Sequence, residues 1–200
     1  MNLFRSIKEW IGVLLIDFPR YIYLTTNNKL GWTKLCNRAE RVSECPNGVG
    51  VLCNWKWSSN LHAPSILPLL GKLLMRRALS SFPIKLSDTS PERNAGNPDV
   101  SFIIGHRGRE RLPHLLLTLK SIAAQESLSF ECIVVEQSST QSIQADLPPW
   151  VHYYHDYTSS TLYNRARTFN VAFNIAKGKL LILHDNDMLI PTHYGKDMLD

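Results

Sequence analysis

The sequence predicts an α/β domain over residues 100–200, built on a mostly parallel sheet. Three observations predict it. Short, mainly apolar runs at 100–104, 132–135 and 180–183 alternate with amphipathic helical stretches, as strands buried on both faces require. The polar clusters at 105–111, 136–139 and 185–187 each follow one of those runs directly. In parallel sheets ligands bind outside the carboxyl ends of the strands, so this placement marks a binding site. The composition, 44% hydrophobic and 20% charged, is that of an ordinary globular chain and excludes disordered, collagen-like and coiled-coil classes.

The elements follow in order. The first run, Val100 to Ile104, ends at Gly105. Leu112, Leu115, Leu116, Leu119, Ile122 and Ala123 then recur at helical spacing, with Pro113 tolerated in the first turn. Cys132-Ile133-Val134-Val135 forms the next strand. A later helix takes Asn164 as its N-cap, turns Ala166, Phe169, Val171, Phe173 and Ala176 inward, and stops at Gly178. Leu180 to Leu183 is the last strand, and His184-Asp185-Asn186-Asp187 follows it.

The preceding part of the chain differs in charge. Residues 1–86 carry twelve Lys and Arg against four acids, a net +8, whereas residues 87–200 carry ten against thirteen, a net −3. The expected organisation is therefore a basic, mainly helical N-terminal region over 1–86, a linker over 87–99 rich in Pro, Gly and polar residues, and the α/β domain over 100–200. No run reaches the roughly 20 apolar residues that span a bilayer. The stretch from Trp10 to Phe18 contains Asp17 and lacks a small-residue cleavage site, so it reads as a helix rather than a signal peptide. From Pro64 to Phe82 apolar residues keep near-helical spacing beside Lys72, Arg76 and Ser80, a pattern that suits a helix packed on a domain or laid on an anionic membrane. Four cysteines, Cys36, Cys45, Cys53 and Cys132, form no C-x-x-C pair, which excludes a disulfide scaffold and a closed zinc site. The expected setting is reducing and cytoplasmic, and the basic region leaves open peripheral contact at the inner face of a membrane.

Three clusters carry chemistry. Asp185 and Asp187, one residue apart after a buried strand, present hard oxygen donors of the kind Mg2+ or Mn2+ takes together with substrate phosphates; Asp-Asn-Asp also suits a solvated turn. Gly105-His106-Arg107-Gly108-Arg109-Glu110-Arg111 places three arginines between a strand and a helix, where guanidiniums and helix amides favour phosphate, although no P-loop pattern is present. Arg165 and Arg167 open a helix, an electrostatically poor place for cations unless an anion or the aspartates lie opposite. His152, His155 and Asp156 do not read as a metal site, since a three-residue step along a strand sends the two imidazoles to opposite faces. Two acids adjacent on one loop also do not fit the opposed carboxyls of a glycosidase.

The segments SFIIGHRGRERLPHLLLTLKSIAAQ, ECIVVEQS, YNRARTFNVAF and LLILHDNDMLIP, in this order over about 100–195, resemble the nucleotide-sugar half of GT-A glycosyltransferases. More narrowly, they are similar to the β-1,4-galactosyltransferase group and to bacterial family 2 relatives. Those proteins carry Pro-Phe-Arg-x-Arg after the first strand, Phe-Asn-Arg-Ala at a helix start, and Asp-x-Asp before an apolar run and a proline. The resemblance implies a Rossmann-like GT-A fold and transfer of a sugar, as in polysaccharide biosynthesis, from a nucleotide-diphosphate donor such as a UDP-sugar to a hydroxyl of a carbohydrate or glycolipid acceptor. It also implies Mn2+ or Mg2+ as cofactor and no nucleic-acid partner. Arg107 and Arg109 then take the nucleotide-binding positions, Tyr163 and Arg165 those that contact the uridine diphosphate, and Glu136 and Gln137 positions near the uracil. Asp187 becomes the metal ligand, with Asp185 beside it. Gly105-His106 replaces Pro-Phe, which alters the base-stacking surface, and Pro191 falls one residue later than in the animal enzymes. Relatives draw their general base and acceptor surface from later sequence. The expectation is thus a chain truncated at its C-terminus, with its base beyond Asp200, that binds donor without completing transfer. The competing readings are a non-catalytic nucleotide-sugar-binding remnant and a basic peripheral or nucleic-acid-binding protein acting through 1–86.

Overall fold

The computed structural model describes residues 3–12, 14–15, 18–19, 22, 41–46, 51–54, 68–91 and 97–200. Cys36, residues 64–67 of the second apolar segment and residues 92–96 of the expected linker lie outside them. The chain divides into two compact units, Met1–Ala78 and Leu79–Asp200.

The first unit holds helix α1 (Leu3–Gly12) and an antiparallel pair of short strands, β1 (Arg41–Glu44) and β2 (Val51–Asn54). Helix α2 (Pro68–Ser81) begins in this unit and runs past its boundary. Helix α2 falls within the helical stretch expected from Pro64 to Phe82, whereas α1 begins at Leu3 and takes in only the start of the stretch expected from Trp10 to Phe18. The strand pair was not foreseen, because four residues are too few for a clear alternation; Asn47-Gly48 between the two strands is the hairpin signature that could have disclosed it. Among the described residues no helix is long and apolar enough to cross a membrane.

The second unit is a four-stranded, wholly parallel sheet. In chain order its elements are β3 (Val100–His106), α3 (Leu112–Ala123), β4 (Phe130–Ser138), β5 (His152–Tyr157), α4 (Arg165–Phe173), β6 (Leu180–His184) and the short helix α5 (Tyr194–Asp197). The strand order is β5-β4-β3-β6, so β3 lies between β4 and β6 although β6 comes last in sequence. The chain moves outward from β3 through β4 to β5, then returns to the other side. That reversal opens the crevice beside β3 in which open α/β sheets bind ligands.

Period-two alternation sorts the strand residues onto two cores. Val100, Phe102, Ile104, Cys132, Val134 and Ile182 pack with Leu112, Leu115, Leu119 and Ile122 of α3. Ile103, Ile133 and Val135 point the other way, onto Ala172 of α4. Both faces are covered, which is why the strands read as continuous apolar runs. Burial of Cys132 pushes its thiol well above the usual range, which leaves an inert packing residue.

Helix α4 departs from the expected inner face. Thr168 and Ala172 are its buried residues, whereas Ala166 and Phe173 are exposed and the helix ends at Phe173. With inward residues four apart, positions 166 and 173 fall off the buried stripe. Residues at the start of the expected linker lie along the end of α3: the Ser87 amide donates to the Lys120 carbonyl at 3.0 Å, and Lys85 pairs with Glu126 at 2.7 Å.

Candidate functional site

The cleft opens at the carboxyl ends of β3 and β6, with a volume of about 550 Å³. Its first wall is the turn after β3. Gly108 has φ +83, a conformation that side chains resist, and it lets the chain reverse into the single 3-10 turn Arg109–Arg111 and then α3. This turn fans out the arginines. Arg107 and Arg111 line the cleft, while Arg109 points away, donating to the Ser142 carbonyl and pairing with Asp146 at 3.0 Å. Arg107 donates to the carbonyls of Leu162 at 2.8 Å and Ser160 at 2.6 Å, holding the segment that leads to α4.

The second wall is Asp185-Asn186-Asp187. The middle residue turns inward: Asn186 is 6% exposed, and its Nδ2 lies 3.1 Å from Nδ1 of His106, itself 0% exposed. His106, which replaces the aromatic residue of the resembled motif, is therefore beneath the aspartate loop and not on a base-stacking surface. Burial lowers its pKa, which favours the neutral ring. With Asn186 anchored, Asp185 and Asp187 both line the cleft. Each meets a guanidinium: Arg165 lies 2.5 Å from Asp185, and Arg111 lies 2.8 Å from Asp187. These are the anions opposite the helix start that a cation at position 165 requires.

The third wall is the entry to α4. Asn164 caps the helix, its Oδ1 accepting from the Arg167 amide at 3.0 Å. A closed ring of polar contacts fixes this end. The Asn164 amide donates to Gln137 Oε1 at 2.6 Å, Gln137 Nε2 donates to Asp156 at 2.9 Å, and Asp156 accepts from Arg167 at 2.6 Å. The ring ties β4 and β5 to the helix and sets Tyr163 and Arg165 over the cleft. Tyr163 lies across Gly105, where an added Cβ would come within 2.2 Å of the phenol oxygen. Arg165 stacks over Phe169, 5.1 Å from the ring centroid.

Five sequence-selected residues converge on the cleft: Arg107, Tyr163, Arg165, Asp185 and Asp187. Three do not line it. Arg109 braces the 142–146 segment, and Gln137 belongs to the capping ring. Glu136 is fully buried and accepts from the Ser142 amide and hydroxyl and, at 2.5 Å, from the Tyr153 hydroxyl. Burial works against its charge, but the Ser142 and Tyr153 donors prevail and hold the carboxyl below the usual range. Arg111 was missed as an individual ligand, although it is the third arginine of the same cluster.

The donor chemistry of Asp185 and Asp187 fits a divalent cation. Among the described residues no third His, Cys, Asp or Glu joins them in a metal-binding group, so ligand oxygens or water would have to complete the shell. His152 and His155 form no such group either; Asp156 between β5 and α4 is committed to Gln137 and Arg167.

A parallel α/β sheet with its polar cleft at the switch beside β3 is the architecture of a Rossmann-like, GT-A-type domain. Residues 101–200, half of the chain, match the glycosyl transferase family 2 domain, and the protein belongs to that family. Among solved structures the chain is similar to the mannosyltransferase PcManGT from Pyrobaculum calidifontis, solved in complex with GDP-Man and Mn2+. Identity is 22% and the TM-score 0.36, with 61% of this chain and 35% of that one covered. The chain thus spans about a third of the length of that enzyme. No curated protein matches the sequence.

Proposed function

We propose that the cleft binds a nucleotide-diphosphate sugar, a UDP-sugar in the reading drawn from the β-1,4-galactosyltransferase resemblance. The protein then serves sugar transfer to a hydroxyl of a carbohydrate or glycolipid acceptor. The observation that carries this reading is the convergence of Arg107, Arg111 and Arg165 with Asp185 and Asp187 on one cleft at the strand ends. Guanidiniums suit diphosphate oxygens through paired, charge-assisted hydrogen bonds. Asp187 and Asp185 would hold Mn2+ or Mg2+, which supplies positive charge for a departing diphosphate. Arg165 and Arg111 would stabilise the same developing charge from the opposite walls, preorganised by Phe169 and by the turn after β3. Tyr163 offers an aromatic face at the rim for the nucleoside.

The N-terminal unit supports peripheral contact with an anionic membrane surface. Ile7, Trp10 and Ile11 of α1 are about half exposed beside the exposed Lys8, and the region carries the basic excess of the chain.

The test is calorimetric titration with UDP, UDP-sugars and GDP in Mn2+ and in EDTA. Tight binding in Mn2+, weak binding in EDTA and loss of that difference in Asp187→Ala are expected, with Lys72→Ala unchanged. Equal affinity in Mn2+ and EDTA would remove the metal assignment. Binding of no nucleotide would remove the donor-site reading.

A further inference from the structure

We propose that Arg111 and Arg165 are exchangeable counter-ions: they hold Asp187 and Asp185 while the cleft is empty, and release them to a divalent cation when a diphosphate arrives to take the guanidiniums. This inference rests on the donor-site reading above. It makes Arg111 a ligand-binding residue beyond the Arg107 and Arg109 pair that the sequence motif marks.

The geometry supplies both halves of the exchange. Each aspartate is matched with one arginine, at 2.5 Å for Arg165–Asp185 and 2.8 Å for Arg111–Asp187, and all four residues line the same cleft. The four side chains are 46–53% exposed, so the pairs are individually weak and open readily. Arg107 is not placed for this role, because its guanidinium is engaged by the carbonyls of Leu162 and Ser160. Arg165 has a second foothold on Phe169, which keeps its guanidinium at the cleft after Asp185 leaves.

The charges then dictate the order of events. A divalent cation entering alone must displace two guanidiniums and remain beside them. A diphosphate entering alone brings its negative charge up to two carboxylates while the guanidinium donors it needs are occupied. When both enter, each aspartate exchanges an arginine for the cation and each arginine exchanges an aspartate for phosphate oxygens. No charge is left facing its like. Cation and nucleotide are thereby coupled, and the coupling is reciprocal: each raises the affinity for the other by the same factor.

The exchange predicts an unusual sign. Removing arginines that bind nucleotide should strengthen binding of the cation by itself. Mn2+ alone is titrated by the EPR signal of the free ion, with and without UDP, for the wild type, Arg111→Gln, Arg165→Gln and the double variant. Lys179→Gln removes an equal charge at the opposite end of β6, where Lys179 pairs with Asp99 at 2.8 Å. The double variant is expected to bind Mn2+ alone about three- to thirtyfold more tightly than the wild type, the order that two half-exposed counter-ions imply. The factor by which UDP tightens Mn2+ should shrink towards one, and Lys179→Gln should stay within about twofold of wild type. Unchanged or weaker Mn2+ binding in the double variant, with UDP still tightening Mn2+ in the wild type, would overturn the exchange and leave the donor site intact. Failure of the wild type to bind Mn2+ even with UDP would overturn the exchange together with the metal assignment, whereas the donor-site reading falls only if no nucleotide binds in the calorimetric titration.

Discussion

Gly105 acts through the side chain it lacks. A Cβ at this position would come within 2.2 Å of the Tyr163 hydroxyl and 2.3 Å of Thr168 Oγ1, and Thr168 is fully buried. Tyr163 can swing outward but Thr168 cannot, so Gly105→Ala should displace the tyrosine from the rim and strain the α4 contact. The expected result is at least tenfold weaker nucleotide binding, of the order that a lost aromatic contact and local overpacking give, with a loss of about 1–3 kcal/mol in stability. Calorimetry and urea unfolding check the two parts separately. The same scale explains the arginine cluster. Residues 107, 109 and 111 look equivalent in a list of charges, yet one braces carbonyls, one pairs with Asp146 and one faces Asp187.

At the scale of elements, the start of α4 depends on atoms from two strands. The ring through Gln137, Asp156, Arg167 and Asn164 replaces solvent for donors that a helix start leaves unpaired. Gln137→Leu would leave the Asn164 amide and one Asp156 oxygen without their partner, at a cost of about 1–3 kcal/mol. Hydrogen exchange should quicken over 164–168 and change little in α3, and nucleotide affinity should fall because Arg165 loses its fixed bearing. Equal protection of α4 in the variant would show that the ring is dispensable. Helix α1 carries a separate expectation. Wild-type protein should co-sediment with vesicles containing 30% phosphatidylserine in phosphatidylcholine at roughly physiological salt and release as salt rises, whereas Trp10→Glu should not bind. Failure of the wild type to bind these vesicles would end the membrane reading.

At the scale of the whole sheet domain, acid should act in two stages. Burial lowers the pKa of His106 and of His184, so the unfolded chain takes up these protons first. Stability is therefore full above about pH 6.5, the ordinary histidine value, and declines as pH falls below it. Glu136 contributes in a lower window. Its folded pKa lies below the unfolded value, so its stabilisation is present above about pH 4.3 and is lost as pH falls through the folded value. Hydrogen exchange of the β3 and β4 amides, measured from pH 7.5 to 4 and corrected for intrinsic rates, should show both declines. His106→Asn should reduce the first slope by up to about 1.4 kcal/mol per pH unit, the value of one proton. A flat profile between pH 7 and 5 would contradict the buried neutral imidazoles.

The sequence by itself determined β3, β4, β6 and the helices α3 and α4, because runs buried on both faces and helical stripes leave local periodic traces. The edge strand β5, HYYHDY, is mostly exposed and leaves no apolar run, and the four-residue α5 is too short for a stripe. The sequence also determined the region of the site, since polar clusters after strands collect at one edge of a parallel sheet. The cation at the start of α4 called for an anionic ligand or the aspartates opposite, and the fold supplies Asp185. Tertiary structure alone decided which member of each cluster faces the ligand space. Glu136 and Gln137 lie at the end of β4, where ligand-binding residues collect, yet Ser142 of the following segment, Tyr153 of β5 and Asn164 at the start of α4 reach them and occupy them. His106 turned under the aspartate loop because β6 returns beside β3, bringing Asn186 within 3.1 Å across 80 residues. Such pairings depend on strand order, and strand order is settled by which faces can be covered together, a property that no local stretch of sequence encodes.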